Sequence, residues 1–226
     1  MVKIEEITLF ENFKDKDFRQ LKACLHEKTF SKGEILFREG ECCERVFFIA
    51  AGRIKIYQTA ENGREQIFEI LEEGDSCACN AGHKKWNCSA TGEALSNCVV
   101  WFLSRNDYSG MVVKNEVLSR NLLELFSRKI KDTRNLVGEV SLKDVKKRLI
   151  KFLLDMHQKQ SAGGSPSMLE IPFTREELAQ RLGSTRETVT RYLTQLKEDG
   201  LIDILPSKIK VISGENLSSE LNAPAR

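Results

Sequence analysis

The hydrophobic period of this chain changes once, near Asp107, and no single type of secondary structure accommodates both halves. From Thr29 to Phe102, glycines punctuate short apolar runs: Gly33, Gly40, Gly52, Gly63 and Gly74 recur every 7 to 12 residues, the rhythm of a sandwich or barrel of short strands. Helices of ordinary length do not fit between them. In Arg53-Ile54-Lys55-Ile56-Tyr57 apolar and polar residues alternate, which predicts a strand that buries Ile54 and Ile56 and turns Arg53 and Lys55 to water. The next run, Gln66 to Leu71, follows across Asn62-Gly63, a dipeptide in which both residues accept positive φ, so the two runs are expected to pair as a tight antiparallel hairpin.

Beyond Asp107 the period is helical. Val117, Leu118, Leu122, Leu125, Phe126, Ile130, Leu136, Val137 and Val140 fall largely at i, i+3, i+4 and i+7, with Lys129 and Thr133 on the same stripe, and no proline occurs between Asn106 and Ala162. One long helix and then a second are predicted. So wide an apolar stripe must be buried, either on the strand-rich part or on a second copy of the same helix. A length of about eight turns favours a dimer seam.

The second helix, around Arg148-Leu149-Ile150-Lys151-Phe152-Leu153-Leu154, leads to Ser161-Ala162-Gly163-Gly164-Ser165-Pro166-Ser167, a turn or loop by composition. Thr174 with Glu177 three residues later forms a capping box that opens a short helix, and Gly183 closes it. Ser184 or Thr185 caps the next helix, whose Val189, Leu193 and Leu196 face the first. Two short helices about a glycine turn make a helix-turn-helix. Gly200-Leu201-Ile202-Asp203-Ile204 and Lys208-Ile209-Lys210-Val211-Ile212 then read as a hairpin wing.

Composition excludes several classes. The 226 residues are 41% hydrophobic and 30% charged, with a net charge of +2, as in ordinary globular chains of one or two domains. No apolar run approaches the roughly 20 residues of a membrane span. Glu5 and Glu6 stand where a secretory signal needs cations and an apolar run, so the expected location is the cytoplasm. There the seven cysteines should be free or metal-bound rather than bridged. From Ser141 onward 14 lysines and arginines face 11 acids, a mild lean toward a polyanion. His26, His83 and His157 are the three histidines. None stands near a nucleophile other than the cysteines, and no thioredoxin-like pattern surrounds Cys77-Ala78-Cys79, so no enzyme activity is expected.

The order of these parts, with Ile49-Ala50-Ala51-Gly52-Arg53, Glu61-Asn62-Gly63-Arg64-Glu65, Glu73-Gly74-Asp75 and Ser184-Thr185-Arg186-Glu187-Thr188-Val189-Thr190-Arg191, resembles the cyclic-AMP receptor protein and FNR family of bacterial transcription regulators over about residues 5 to 215. The resemblance implies an α+β chain: an N-terminal β-roll, cyclic-nucleotide-binding-like domain (1–106), a dimerisation helix (107–140) and a C-terminal winged helix-turn-helix (141–226). It also implies a homodimer that binds double-stranded DNA at a TGTGA-like or related half-site and works with RNA polymerase. Chemistry points the same way. Near the start of a major-groove helix, Arg186 and Arg191 offer forks that match guanine O6 and N7, and Glu187 accepts from cytosine N4. Thr174, Thr185, Thr188 and Thr190 are expected phosphate contacts. Two-fold symmetry then requires a pseudo-palindromic operator.

The sensor departs from the family's cyclic-nucleotide receptors. Those carry a glutamate for the ribose and an arginine for the cyclic phosphate after the Gly-Asp pair. Aligned with one deletion, Cys79 takes the glutamate position and Cys88 the arginine position. A thiol cannot replace a guanidinium as partner of a phosphate, so cyclic AMP is not the expected effector. Cys77 and Cys79, at i, i+2 on extended chain, project to one face, and with Cys88 and Cys98 they make a thiol set suited to an Fe–S cluster or another metal, His83 being a further ligand. The resemblance supplies precedents for both a cysteine-ligated cluster and a haem, although the family's cluster cysteines lie mainly in an N-terminal extension and these do not. Thiol-disulfide chemistry, or no cofactor and a small organic effector or cyclic nucleotide with structural cysteines, are the alternatives. Cys24 and Cys98 also fit as small core residues. Cys42 and Cys43, adjacent in a loop, cannot both point inward.

Overall fold

The structure, a computed structural model, describes residues 1–77, 87–142, 144–161, 168–170, 173–205, 208–212 and 214–222. It comprises two compact units, Met1–Arg134 and Asn135–Arg226.

In the first unit, α1 (Asp15–Cys24) is followed by β1 (His26–Phe30), β2 (Ile35–Phe37), β3 (Arg45–Ala51), β4 (Ile54–Thr59), β5 (Glu65–Leu71), β6 (Ser76–Cys77), β7 (Thr91–Ala94) and β8 (Cys98–Ser104). Among the described residues they form two four-stranded antiparallel sheets, ordered β1-β8-β3-β6 and β2-β7-β4-β5. The interior between them holds Phe47, Ile49 and Val100 from the first sheet and Ile54, Leu71 and Ala94 from the second. On the outer side of β3, Val46 and Phe48 pack with Phe10, Leu21, Leu103, Tyr108 and Leu118. Burial on both faces explains why β3 reads as a continuous apolar run instead of an alternating one.

Two local expectations are corrected. The β4–β5 hairpin forms, but not as a two-residue turn: Gly63 N donates to Ala60 O at 2.8 Å and Ala60 N to Arg64 O at 2.9 Å. Gly63 takes positive φ while Asn62 does not, using its side chain instead to accept from Arg64 N at 3.1 Å. A connection of this length needs a single left-handed residue. Nor does Lys55 face water. It is 7% exposed, since β4 lies inside its sheet and carries Glu93 of β7 beside it; Lys55 Nζ is 2.8 Å from Glu65 and 3.1 Å from Glu93. Burial alone would lower its pKa, but the hydrogen bonds to the two carboxylates more than offset this and hold it above the usual lysine value.

The helical region begins with an element the periodicity did not separate: α2 (Arg105–Lys114) precedes α3 (Glu116–Leu142) and α4 (Val145–Ser161). Asn115 makes the break. Its backbone is extended, its Oδ1 caps α3 by accepting from Leu118 N at 3.0 Å, and its Nδ2 donates to Asp17 Oδ1 at 2.9 Å. Helix α3 buries Leu118 and Leu122 in the outer core of the roll. It has a second apolar stripe: Leu123, Ile130 and Val137, spaced by seven, are 66%, 53% and 58% exposed.

The second unit continues with β9 (Met168–Glu170), α5 (Arg175–Arg181), α6 (Arg186–Glu198), β10 (Ile202–Leu205), β11 (Lys208–Val211) and α7 (Gly214–Asn222). Leu149 and Leu153 of α4 pack with Leu178, Val189, Leu193, Ile202 and Leu217 in one core. The expected wing hairpin of β10 and β11 gains β9 as a third strand, a segment too short to show a period.

Candidate functional site

Local hydrogen bonds fix the two-helix motif. Thr174 Oγ1 accepts from Glu177 N at 3.2 Å while Thr174 N donates to Glu177 Oε2 at 2.7 Å, the reciprocal capping box that starts α5. At its far end Gly183 takes φ +60°, Ser184 N donates to Ala179 O at 2.9 Å and Gly183 N to Gln180 O at 3.4 Å. This Schellman pattern satisfies carbonyls the helix would otherwise leave open. One residue on, Thr185 Oγ1 accepts from Thr188 N at 3.3 Å and caps α6. Val189, Leu193 and Leu196 then lock α6 to Leu178, Ala179 and Leu182.

The opposite face of α6 is free of packing. Arg186, Glu187, Thr190 and Arg191 are exposed, and among the described residues none of the three charged groups takes part in an ion pair. The Arg191 guanidinium lies over the Tyr192 ring at 5.0 Å, a cation–π contact that restricts its rotamers. Thr174 and Thr185 spend an acceptor lone pair on their caps, and the Thr185 and half-buried Thr188 hydroxyls lie 3.0 Å apart, so one proton is shared within that pair while the other hydroxyl of the pair and that of Thr174 retain a donor. The first two turns of α6 thus present two guanidiniums, a carboxylate and hydroxyls near a helix N-terminus.

Among the described residues, the cysteines do not gather as one set. Cys98 is buried in the interior of the roll, and its thiol donates to the carbonyls of Arg53 at 3.3 Å and Ser96 at 3.1 Å. Cys77 pairs with Phe47, which pairs with Phe102. Cys98 therefore sits four residues, roughly 13 Å, farther along β8 and two strands, roughly 10 Å, across. Cys79 and His83 lie outside the described residues. Cys88, only 4% exposed, adjoins Cys43 instead: burial, followed by the neighbouring Cys43 thiol, pushes Cys88 up to about 12. Cys24 packs with the outer core, as a small hydrophobe would. Among the described residues, no three histidine, cysteine, aspartate or glutamate side chains converge as for a metal ion.

Two family models match the chain, one described as a cyclic nucleotide-binding domain over residues 27–115 and one as a Crp-like helix-turn-helix domain over residues 147–219. A probable transcriptional regulator flp of Lacticaseibacillus casei is 28% identical over 93% of this chain and 94% of its own. Vfr of Pseudomonas aeruginosa, described as a cAMP-activated global transcriptional regulator, is 28% identical over 88% of this chain and 94% of its own. The structure of FixK2 from Bradyrhizobium japonicum superposes with a TM-score of 0.75 at 23% identity, covering 89% of this chain and 99% of that one. Both halves match in the same order. The chain belongs to the Crp/Fnr family. It is thus a Crp/Fnr-type transcription regulator with a DNA-binding helix-turn-helix, and its curated relatives are regulators rather than enzymes.

Sequence reading missed one feature of this Crp/Fnr roll. A cavity of about 160 Å³ in the first unit is lined by Glu69, Asp75, Ser76, Asn121, Arg128 and Lys129, among others. Lys129 Nζ lies 2.7 Å from both carboxylate oxygens of Glu69. Burial pushes the Asp75 carboxyl above its ordinary value, against the N–H of Glu72, which donates to it at 2.8 Å, and the charges of Lys129 and Arg128. The lining comes from segments far apart in sequence, so no spacing announced it. Among the described residues, no helix is long and apolar enough to cross a membrane.

Proposed function

We propose that this Crp/Fnr protein is a homodimeric, sequence-specific regulator whose recognition helix is α6 and whose roll reads a redox signal through its cysteines. The observation that carries the DNA assignment is the exposed face of the first two turns of α6, whose Arg186, Glu187 and Arg191 make no ion pair among the described residues, with Arg186 and Arg191 as guanine readers and Glu187 as the cytosine acceptor; Thr185, Thr188 and Thr190 beside them and Thr174 at the start of α5 are the phosphate contacts. The dimer is carried by the heptad stripe Leu123, Ile130, Val137, which a second α3 would bury as a-type positions of a coiled coil. RNA polymerase is the further partner. A change in the roll would act on DNA by altering how α3 packs against it.

The sensing chemistry is narrower than the sequence implied. A cluster on Cys77, Cys79, Cys88 and Cys98 does not fit, because Cys98 belongs to a separate part of the sheet with its thiol committed to backbone carbonyls. No step is assigned to a cluster or a haem. Support for a thiol reading comes from Cys88, buried at the position where cyclic-nucleotide receptors keep their arginine. A small organic effector in the cavity at Glu69 and Lys129 is the second reading, favoured by the mixture of cations and acids there.

The test is a binding measurement on a pseudo-palindromic operator at fixed salt with anaerobically purified protein. Arg186→Ala should weaken the best operator by roughly 1–3 kcal/mol and relax selectivity at one base pair; unchanged affinity would overturn the assignment. Operator affinity that ignores oxidants would remove the redox reading and leave the organic effector.

A further inference from the structure

Cys88 is held beside the Cys42-Cys43 pair by the backbone. Residues 42 and 87 form an antiparallel bridge, Cys88 N donates to Glu41 O at 2.9 Å, and Gly40 N donates to Cys88 O at 2.8 Å. In that register Cys43 and Cys88 are diagonal neighbours on one face of the pairing. The arrangement separates the two adjacent thiols: Cys42 is exposed, whereas Cys43 is half-buried, meets the Cys88 thiol, and donates its own proton to Arg45 O at 3.3 Å.

We propose that Cys43 and Cys88 are a redox-active dithiol of the roll, oxidised to a Cys43–Cys88 disulfide by a hydroperoxide and restored by a small thiol. The inference deepens the redox reading above and rests on it for its regulatory meaning. In the first step the Cys43 sulfur takes one oxygen from the hydroperoxide, giving a sulfenic acid and, from hydrogen peroxide, one water. The Cys88 sulfur then attacks the sulfenyl sulfur: an S–S bond forms, the S–O bond breaks, and the hydroxyl leaves with the Cys88 proton as a second water. Two thiols lose two electrons, and the peroxide gains them. Cys88, buried and protonated, is not the sulfur that meets the oxidant first; it is the neighbouring thiol that resolves the Cys43 sulfenic acid, giving up its proton to the departing hydroxyl as its sulfur attacks. Reduction by two equivalents of a small thiol reverses the bond by exchange. Cys42, exposed and next in sequence, is the built-in competitor.

The experiment treats the full-length reduced protein with stoichiometric hydrogen peroxide, blocks remaining thiols, and maps the peptides without reduction. We expect free thiols to fall from seven to five, one cross-linked peptide joining Cys43 to Cys88, and full recovery with dithiothreitol. Cys42→Ser should keep the cross-link, and both Cys43→Ser and Cys88→Ser should lose it, with circular dichroism confirming that each variant is folded. A Cys42–Cys43 linkage, oxidation stopping at Cys42, or seven thiols after treatment would overturn the proposal. Operator binding by the reduced protein is measured in parallel. If reduced protein binds and the cross-link fails to form, the dithiol is wrong and the DNA assignment stands; a cross-link with unchanged operator affinity sustains the dithiol and removes the redox reading of regulation.

Discussion

Lys129 of α3 grips Glu69 of β5 with its Nζ 2.7 Å from both carboxylate oxygens, so the long helix is tied to the roll by charge as well as by Leu118 and Leu122. With Glu69 41% exposed, the pair is worth less than about 1 kcal/mol to stability after solvent screening. Glu69→Gln should therefore leave thermal unfolding nearly unchanged while shifting operator affinity of the unstimulated protein several-fold. Affinity equal to that of the parent would take this pair out of the signal path.

The exposed stripe on α3 predicts its own disruption. Leu123→Asp together with Ile130→Asp places like charges at facing positions of the seam, and light scattering should report a monomer with helix content preserved. A persistent dimer would locate the interface elsewhere.

Gly52 occupies φ +90°, and a Cβ there would stand 2.5 Å from Asn97 O and 2.7 Å from Cys98 Sγ. Gly52→Ala should cost roughly 1–3 kcal/mol from the backbone conformation alone, with the clash added to it. A denaturant titration showing parental stability would contradict this packing.

Thiol reactivity should sort by burial. With Cys88 raised to about 12, only about one molecule in 10,000 carries its thiolate at pH 8, so iodoacetamide should label exposed Cys42 and spare Cys88 in the folded state. The sign follows from the cause: burial disfavours the charged form, so Cys88 labelling should rise steeply only on unfolding. Equal rates at both positions would refute the placement.

Asp75 gives a pH dependence. Its folded pKa is raised by burial, so the folded state binds the proton more tightly than the unfolded chain, and the associated stability is present at low pH and lost as pH rises through the folded value. Asp75→Asn retains an acceptor for Glu72 N and should stabilise the protein at neutral pH while flattening its acid profile, as read by thermal unfolding between pH 3 and 8.

What the sequence disclosed follows the range of each interaction. Thr174, Glu177, Gly183 and Thr185 act on neighbours within a few residues, and that motif was legible down to its caps. Glycine spacing announced the roll, but the burial of Lys55 depends on Glu93, thirty-eight residues away on a neighbouring strand. Asn115 broke a helix that periodicity had run through, because its partner is Asp17. The meeting of Cys43 and Cys88 depends on a single bridge between Cys42 and Asn87, a long-range pairing with no local signal.

Because α6 keeps its packing on Val189, Leu193 and Leu196 and its base-facing chemistry on Arg186, Glu187 and Arg191, the two faces can change independently in descent. A lineage could exchange its operator alphabet one letter at a time without passing through an unfolded ancestor, and duplicated copies of such a gene could acquire separate target sets while keeping a common scaffold.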